Sequence, residues 1–249
     1  MSIASRGSRM PILADVEALV FDVFGTVVDW RGGVAREAAA FLARYAPAVD
    51  PAAFADAWRR RYVPAMDDVR AGRRPFVRLD VLHRETLAAT LAEFGVGERI
   101  EASELDTLSV SAWRRLDPWP DAVAGLLRLK RRFIVAPLSN GNIRLMVDMA
   151  RYGGLPWDAI LGAEIASAYK PAPEVYLRAA DVLMLPPDRV CMVAAHSDDL
   201  VAARRCGLRT AFVLRPLEYG PARQSDLARQ GDWDIVADDF EDMAAQLSV

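Results

Sequence analysis

An aspartate closes the first apolar run of the chain: Ala18–Phe21 is followed by Asp22-Val23-Phe24-Gly25-Thr26. A carboxylate directly after a buried strand, with Gly and Thr close behind, sits in a tight turn among backbone N–H groups. It can act as a nucleophile where neighbouring cations keep it ionised, or it can simply cap the turn. A second run, Phe133–Leu138, ends in Ser139-Asn140-Gly141-Asn142. The hydroxyl, amide and backbone N–H groups there can hold a carboxylate or oxyanion, although in isolation the pattern favours an ordinary helix cap. Tyr169-Lys170-Pro171 precedes a helical stretch that contains Tyr176, and a loop lysine is ordinarily a solvated charge. The run Val190–Ala195 ends in His196-Ser197-Asp198-Asp199, where paired acids fit a helix N-terminus and a lone His is most often structural. Each signal is weak singly. Their order, Asp, Ser-Asn, Lys-Pro and Asp along consecutive strand ends, is what points to chemistry.

The elements that must position these residues read as a parallel sheet. Apolar runs at Ala18–Phe21, Phe133–Leu138, Val190–Ala195 and Thr210–Leu214, with weaker ones at Ala159–Leu161 and Asp234–Val236, each end in small or polar residues. Helical periods at Asp121–Arg132, Ile143–Tyr152, Glu174–Leu183 and Leu200–Cys206 separate the later runs. Near-continuous apolar strands alternating with helices predict a sheet covered on both faces, with ligands at the carboxyl ends of its strands. One interval breaks the alternation. From Gly32 to Arg115 the pattern is helical, at Val34–Tyr45, Ala52–Arg70, Phe76–Phe94 and Glu104–Arg115, with breaks at Pro47, Gly72, Pro75 and Gly95. Asp117-Pro118-Trp119-Pro120 then returns the chain to the core. The expected architecture is an α/β core, 15–31 and 116–249, with a helical cap at 32–115 inserted after the first strand and a loose tail at 1–14.

Composition agrees with a globular chain. Its 249 residues are 53% hydrophobic and 26% charged, with 15 Gly and 15 Pro, which excludes disorder, collagen and coiled coil. Lys and Arg total 31 against 34 Asp and Glu, a net charge of −3, so no basic field exists to hold a nucleic-acid backbone. Two cysteines, Cys191 and Cys206, are too few for a disulfide framework or a four-sulfur zinc site. No apolar run has the ~18 residues of a membrane helix, and Met1–Met10 reads as a tail and not a signal peptide. A cytoplasmic setting and no membrane partner are the expectation.

At its strand ends the chain resembles the haloacid dehalogenase superfamily, over about Ala18 to Val236. The superfamily's four motifs correspond to Asp22 with Thr26, Ser139 with Asn140, Lys170, and the acidic turn at Asp199. The resemblance implies a Rossmann-like core, a helical cap and an aspartate that forms a covalent intermediate. Most members transfer phosphoryl groups, and their pattern requires a proton-donating Asp two residues after the nucleophile. Here that position is Phe24, which can neither donate nor accept the proton. Where the phosphatases carry Gly-Asp to hold magnesium, this chain has Ala194-Ala195, so one magnesium-side carboxylate is missing.

The same residues resemble the type II (S)-2-haloacid dehalogenases, in which an aromatic stands at the Phe24 position. That resemblance implies that Asp22 attacks C2 of the haloacid, that Thr26 supports it and that Lys170 orients it and keeps it ionised. Ser139 would hold the substrate carboxylate, and Tyr176 would line the pocket. Asn140 and a cap arginine after a Trp, matched by Trp58-Arg59, would receive the halide. Arg59-Arg60-Arg61 also reads as a solvated helix face. Asp199 would position or deprotonate the hydrolytic water. Relatives carry Ser and Asn where this chain has Ala194 and His196, so His196 is a hydrogen-bonding substitute, a base or a spacer. No cofactor or metal is implied, the partner is a small 2-haloacid, and a homodimer built partly through the cap fits. The rival expectations are a magnesium-dependent small-molecule phosphatase and a non-catalytic binding protein on the same fold.

Overall fold

The computed structural model describes residues 13–96, 100–221 and 231–249. Residues 1–12 of the expected tail lie outside the described residues. The chain enters on β1 (Ala18–Phe21), turns, and makes two residues of β2 (Val28–Asp29). Five helices follow: α1 (Trp30–Tyr45), α2 (Pro51–Arg60), α3 (Tyr62–Arg70), α4 (Leu79–Glu93) and α5 (Ala102–Arg114). β3 (Asp117–Pro118) then pairs antiparallel with β2, Val28 opposite Pro118 and Asp29 opposite Asp117. The remainder alternates: α6 (Ala122–Leu129), β4 (Ile134–Pro137), α7 (Ile143–Gly153), α8 (Pro173–Val182), β5 (Val190–Ala194), α9 (Ser197–Arg205), β6 (Arg209–Val213), β7 (Ile235–Ala237) and α10 (Phe240–Gln246).

The main sheet has the order β4-β1-β5-β6-β7, and every pairing in it is parallel. β1 alternates its side chains between two cores. Leu19 and Phe21 join Leu126 of α6 and Phe240 of α10, while Ala18 and Val20 join Tyr176 of α8 and Leu200 of α9. Both faces are therefore covered, as continuous apolar strands require. The chain passes from β1 to β4 on one side and from β4 to β5 on the other. This reversal opens a crevice at the carboxyl end of β1, where Asp22 follows.

Three expectations need correction. The first inserted helix begins at Trp30, not Val34, because the Asp29 side chain accepts from Gly32 N at 2.8 Å and caps it there. Gly33 lies inside that helix because a Cβ would meet Leu116 at 2.6 Å. The expected helix Ala52–Arg70 is two helices that break at Arg61; Pro64, third in α3, has no N–H for the Arg60 carbonyl and its ring crowds that carbonyl. Ala159–Leu161 makes no strand, only a bridge from Leu161 to Leu138.

A buried ion pair locks the loop after β6 to the start of α6. Arg215 donates from both Nη atoms to Asp121, each at 2.8 Å, and from Nε to the Thr26 carbonyl at 2.7 Å. Burial alone would raise the Asp121 pKa, but the Arg215 hydrogen bonds and charge overcome it and lower it. The pair's contribution is therefore present at neutral pH and fades as the pH falls through and below the ordinary carboxylate range. Arg215→Ala should cost about 1–3 kcal/mol in urea unfolding, because it leaves a half-buried carboxylate with the Phe240 N–H but no cation. Replacing both partners with apolar residues of similar volume should cost far less, which the double variant measures.

Candidate active site

Asp22 extends the β1 ladder by one bond, its N–H donating to the Val193 carbonyl at 2.9 Å, and then the chain turns sharply. Gly25 has φ +90°, a left-handed conformation that favours glycine. The two Asp22 oxygens are held differently. Lys170 Nζ donates to Oδ1 at 2.9 Å, while Oδ2 accepts from Thr26 Oγ1 at 2.8 Å and faces His196 Nδ1 at 3.0 Å. Thr26 Oγ1 in turn accepts from Ala195 N at 3.0 Å. Lys170 Nζ also reaches Asp199 Oδ2 at 2.5 Å, and the Tyr176 hydroxyl donates to Asp199 Oδ1 at 2.5 Å. His196 Nε2 lies 3.0 Å from both oxygens of Glu218.

Burial pushes Asp22 toward protonation, but the Lys170 and His196 charges and hydrogen bonds outweigh it and hold the carboxyl well below the usual range. Asp199 shares the same ammonium but moves the other way: burial, helped by the negative charge of Asp22, raises it. Lys170 is buried, which disfavours its charge, yet the two carboxylates raise its pKa. Two carboxylates driven apart in this way divide into an ionised partner and a proton acceptor.

The turn after β4 supplies neutral polar groups. Ser139 Oγ accepts from Gly141 N at 3.0 Å, and Asn140 Oδ1 accepts from Lys170 N at 2.7 Å, which turns the other end of the amide away from that bond. Gly162 lets this turn pack close; a Cβ there would lie 2.6 Å from Ile143 N and 2.9 Å from the Gly141 carbonyl. Asn142 exchanges two hydrogen bonds with Asp80 of α4, at 2.9 and 3.2 Å, so the turn also grips the helical insertion.

Above the strand ends the insertion presents aromatic rings. Phe24 meets Tyr62, His83 and Trp113, with ring centroids at 6.3, 6.5 and 5.8 Å. The Arg59 guanidinium lies 4.0 Å from the Tyr62 ring centroid, 5.2 Å from that of Trp30 and 5.9 Å from that of Phe24. Its Nη1 is buried with no hydrogen-bond partner among the described residues. Arg60 and Arg61 instead both pair with Glu93, each at 2.9 Å. The arginine run thus divides: two members form ion pairs on the outer side, and Arg59 turns inward. His83 is buried, stacks on Trp113 at 4.1 Å, and has no hydrogen-bond partner for either ring nitrogen among the described residues; burial and the Arg59 charge keep its pKa low.

Asp22, Thr26, Lys170, Asp199, Tyr176 and His196 form one hydrogen-bonded network. Phe24 and Arg59 face each other across the aromatic wall, and Ser139 and Asn140 stand at the neighbouring strand end. Tyr176, expected to line a pocket, is fully buried and spends its hydroxyl on Asp199. Sequence reasoning missed Glu218, Arg215 and His83. The first two follow the run Thr210–Leu214, a strand end whose residues deserved the same chemical question as the others. His83 sits inside a helical stretch with nothing to mark it. Magnesium does not fit this centre: Asp22 Oδ1 and Asp199 Oδ2 already receive an ammonium, and the other groups turned toward Asp22 are donors.

The family model for haloacid dehalogenase-like hydrolases matches residues 16–207. (S)-2-haloacid dehalogenase 4A of Burkholderia cepacia is 30% identical over 230 residues, 89% of this chain and 95% of that relative. The crystal structure of the defluorinating L-2-haloacid dehalogenase Rha0230 aligns with TM-score 0.91 at 52% identity, covering 94% of this chain and 96% of that one. That of the L-2-haloacid dehalogenase PA0810 aligns with TM-score 0.88 at 46% identity, covering 94% and 99%. With the strand-end network in the same fold, the chain belongs to the haloacid dehalogenase-like hydrolases, and within them to the (S)-2-haloacid dehalogenases.

Proposed function

We propose that this chain hydrolyses small (S)-2-haloacids to (R)-2-hydroxy acids and halide through an ester on Asp22. The observation that carries the reading is Arg59, a cation among aromatic rings whose buried Nη1 has no acceptor among the described residues. A leaving halide is such an acceptor. A halide needs donors and positive charge in a dry pocket and no proton, so the ring at Phe24 takes nothing from the reaction. A phosphate ester would need the acid that Phe24 replaces.

Asp22 Oδ1 attacks C2 from the side opposite the halide, the C–X bond breaks, and the halide leaves with the bonding electrons toward Arg59 and Asn140. Ser139 and the backbone N–H groups of its turn receive the substrate carboxylate. Water then attacks Asp22 Cγ and gives its proton to Asp199, whose raised pKa suits that role. Collapse breaks Cγ–Oδ1, and the departing alkoxide takes a proton from Lys170, which regains one from Asp199 at 2.5 Å. The stereocentre inverts once, and Asp22 keeps one solvent oxygen. Residues 15–31 and 116–249 act as the catalytic core and 32–115 as the cap that closes over it. Two free thiols, Cys191 and Cys206, suit a cytoplasmic setting, and among the described residues no helix is long and apolar enough to cross a membrane.

Halide release from chloroacetate, (S)-2-chloropropionate and fluoroacetate should persist in EDTA; loss in EDTA with recovery on magnesium would revive the phosphatase. With enzyme in excess in heavy-oxygen water, the first product should carry an unlabelled hydroxyl and the label should enter Asp22. Labelled product in that turnover would mean that water attacks C2 directly. Arg59→Ala should lower kcat by about 10²–10³, as for loss of one donor to developing charge, with the fold intact by circular dichroism. A near-native kcat would place the halide site elsewhere.

A further inference from the structure

We propose that His196 serves ester hydrolysis as a standing imidazolium donor to Asp22 Oδ2, and that Glu218 is the positioning residue that keeps it charged and aimed. The inference rests on the haloacid reading above and assigns a part to a side chain outside the four strand-end motifs.

The geometry leaves one protonation state. His196 Nδ1 is 3.0 Å from Asp22 Oδ2, and Nε2 is 3.0 Å from each Glu218 oxygen. A neutral ring has a single N–H, so one nitrogen lone pair would face a carboxylate. With both carboxylates ionised, only the imidazolium satisfies both. A ring that donates from both nitrogens has no lone pair with which to take a proton from water, so His196 is not the base.

The charges around the ring agree. Burial opposes its protonation, and so does the N-terminus of α9, where His196 holds the N-cap position without a side-chain bond and Asp198 and Asp199 follow. Asp22 at the end of β1 and Glu218 after β6 face it directly, while Lys170 and Asp199 stand on the far side of Asp22. The hydrogen bonds and charges of Asp22 and Glu218 prevail and raise its pKa to about 10. Glu218 itself is 1% exposed and accepts from Trp30 Nε1 at 3.1 Å. It fills the space that glycine leaves in the nucleophile turn: a Cβ on Gly25 would meet Glu218 Oε1 at 2.2 Å. Its carboxylate packs against Gly25 of that turn.

The chemistry follows from the two oxygens. Oδ1 carries one donor and forms the ester bond; Oδ2 carries two and becomes the ester carbonyl oxygen. When water attacks Cγ, negative charge gathers on Oδ2, where the Thr26 hydroxyl and the His196 N–H already point. Collapse returns the electron pair to the C=O bond, so His196 gives up no proton at any step. Glu218 never touches substrate.

The chain has two histidines, so ring-nitrogen NMR resolves them without ambiguity. One, His83, should remain neutral across the range, and His196 should stay protonated until about pH 10. In Glu218→Gln that titration should move toward neutrality by about one to three pH units. In rapid-quench measurements on chloroacetate, the first halide release by this variant should slow far less than the ester hydrolysis that follows, because Lys170 still lowers the Asp22 pKa. Above the lowered titration its steady-state kcat should fall by about 10²–10³, with the ester accumulating, and should recover on acidification. Glu218→Asp, which keeps the charge, should hold the alkaline limb near the wild-type position. Unchanged His196 titration in Glu218→Gln, or equal slowing of both steps, would overturn the proposal. If wild type released no halide from any 2-haloacid, the haloacid reading would fail, and the NMR titration would still decide the His196–Glu218 pairing.

Discussion

Lys170 places one buried positive charge between the carboxylates of Asp22 and Asp199, and most of the architecture around it answers to that arrangement. Two like charges at a strand end repel, and a buried ammonium alone is costly, so neither side of the bridge is tolerable without the other. The bridge needs Lys170 brought over the end of β1, which the Asn140 side chain does by accepting the Lys170 backbone N–H. It needs Asp199 fixed, which the fully buried Tyr176 does through its hydroxyl. It also needs the turn after Asp22 to be narrow, which Gly25 and the Thr26 hydroxyl provide. Asymmetry does the rest. Asp22 has a second cation beside it and stays ionised, whereas Asp199 has only the shared one and becomes the easier of the two to protonate.

The helical insertion completes what the sheet cannot supply. A parallel sheet presents strand ends and loops, but no dry apolar wall above them. Phe24, Tyr62, Trp113 and His83 build that wall from both sides of the junction, and Arg59 lies against it. The Asn142–Asp80 pair fixes the insertion to the β4 turn, so the position of the wall is set by polar contacts as well as by packing. A guanidinium held against rings in this way is weakly hydrated, which raises its value to an anion entering the space.

The sheet was legible in the sequence because each strand is a short apolar run with a chemically distinct residue after it, as at Ala18–Phe21 before Asp22. The four-part order at the strand ends was legible for the same reason. Helix boundaries were harder: Val34 read as the start of the first inserted helix, but an Asp29 cap and the close packing of Gly33 on Leu116 carry it back to Trp30. The division of Arg59 from Arg60 and Arg61 depends on which way a helix face turns, and spacing alone does not show it. The role of His196 depends on Glu218, which comes from a different strand end twenty-two residues later. A pairing between two loops leaves no periodic trace in either.

The paired residues of β2 and β3 form a short backbone ladder at the base of the insertion, reinforced by Trp119, whose N–H groups reach the carbonyls of Val27 and Gly25, each at 2.9 Å. Such a neck closes the inserted chain into a loop whose ends are already together. Closure entropy rises by only about 0.6 kcal/mol for each doubling of loop length, so the neck is nearly indifferent to how much chain it carries. The fold can therefore exchange, lengthen or shorten the part that shapes the pocket while the nucleophile turn stays in register. Modularity of this kind needs no flexible linker, only a short ribbon placed between the nucleophile and everything that discriminates among its substrates.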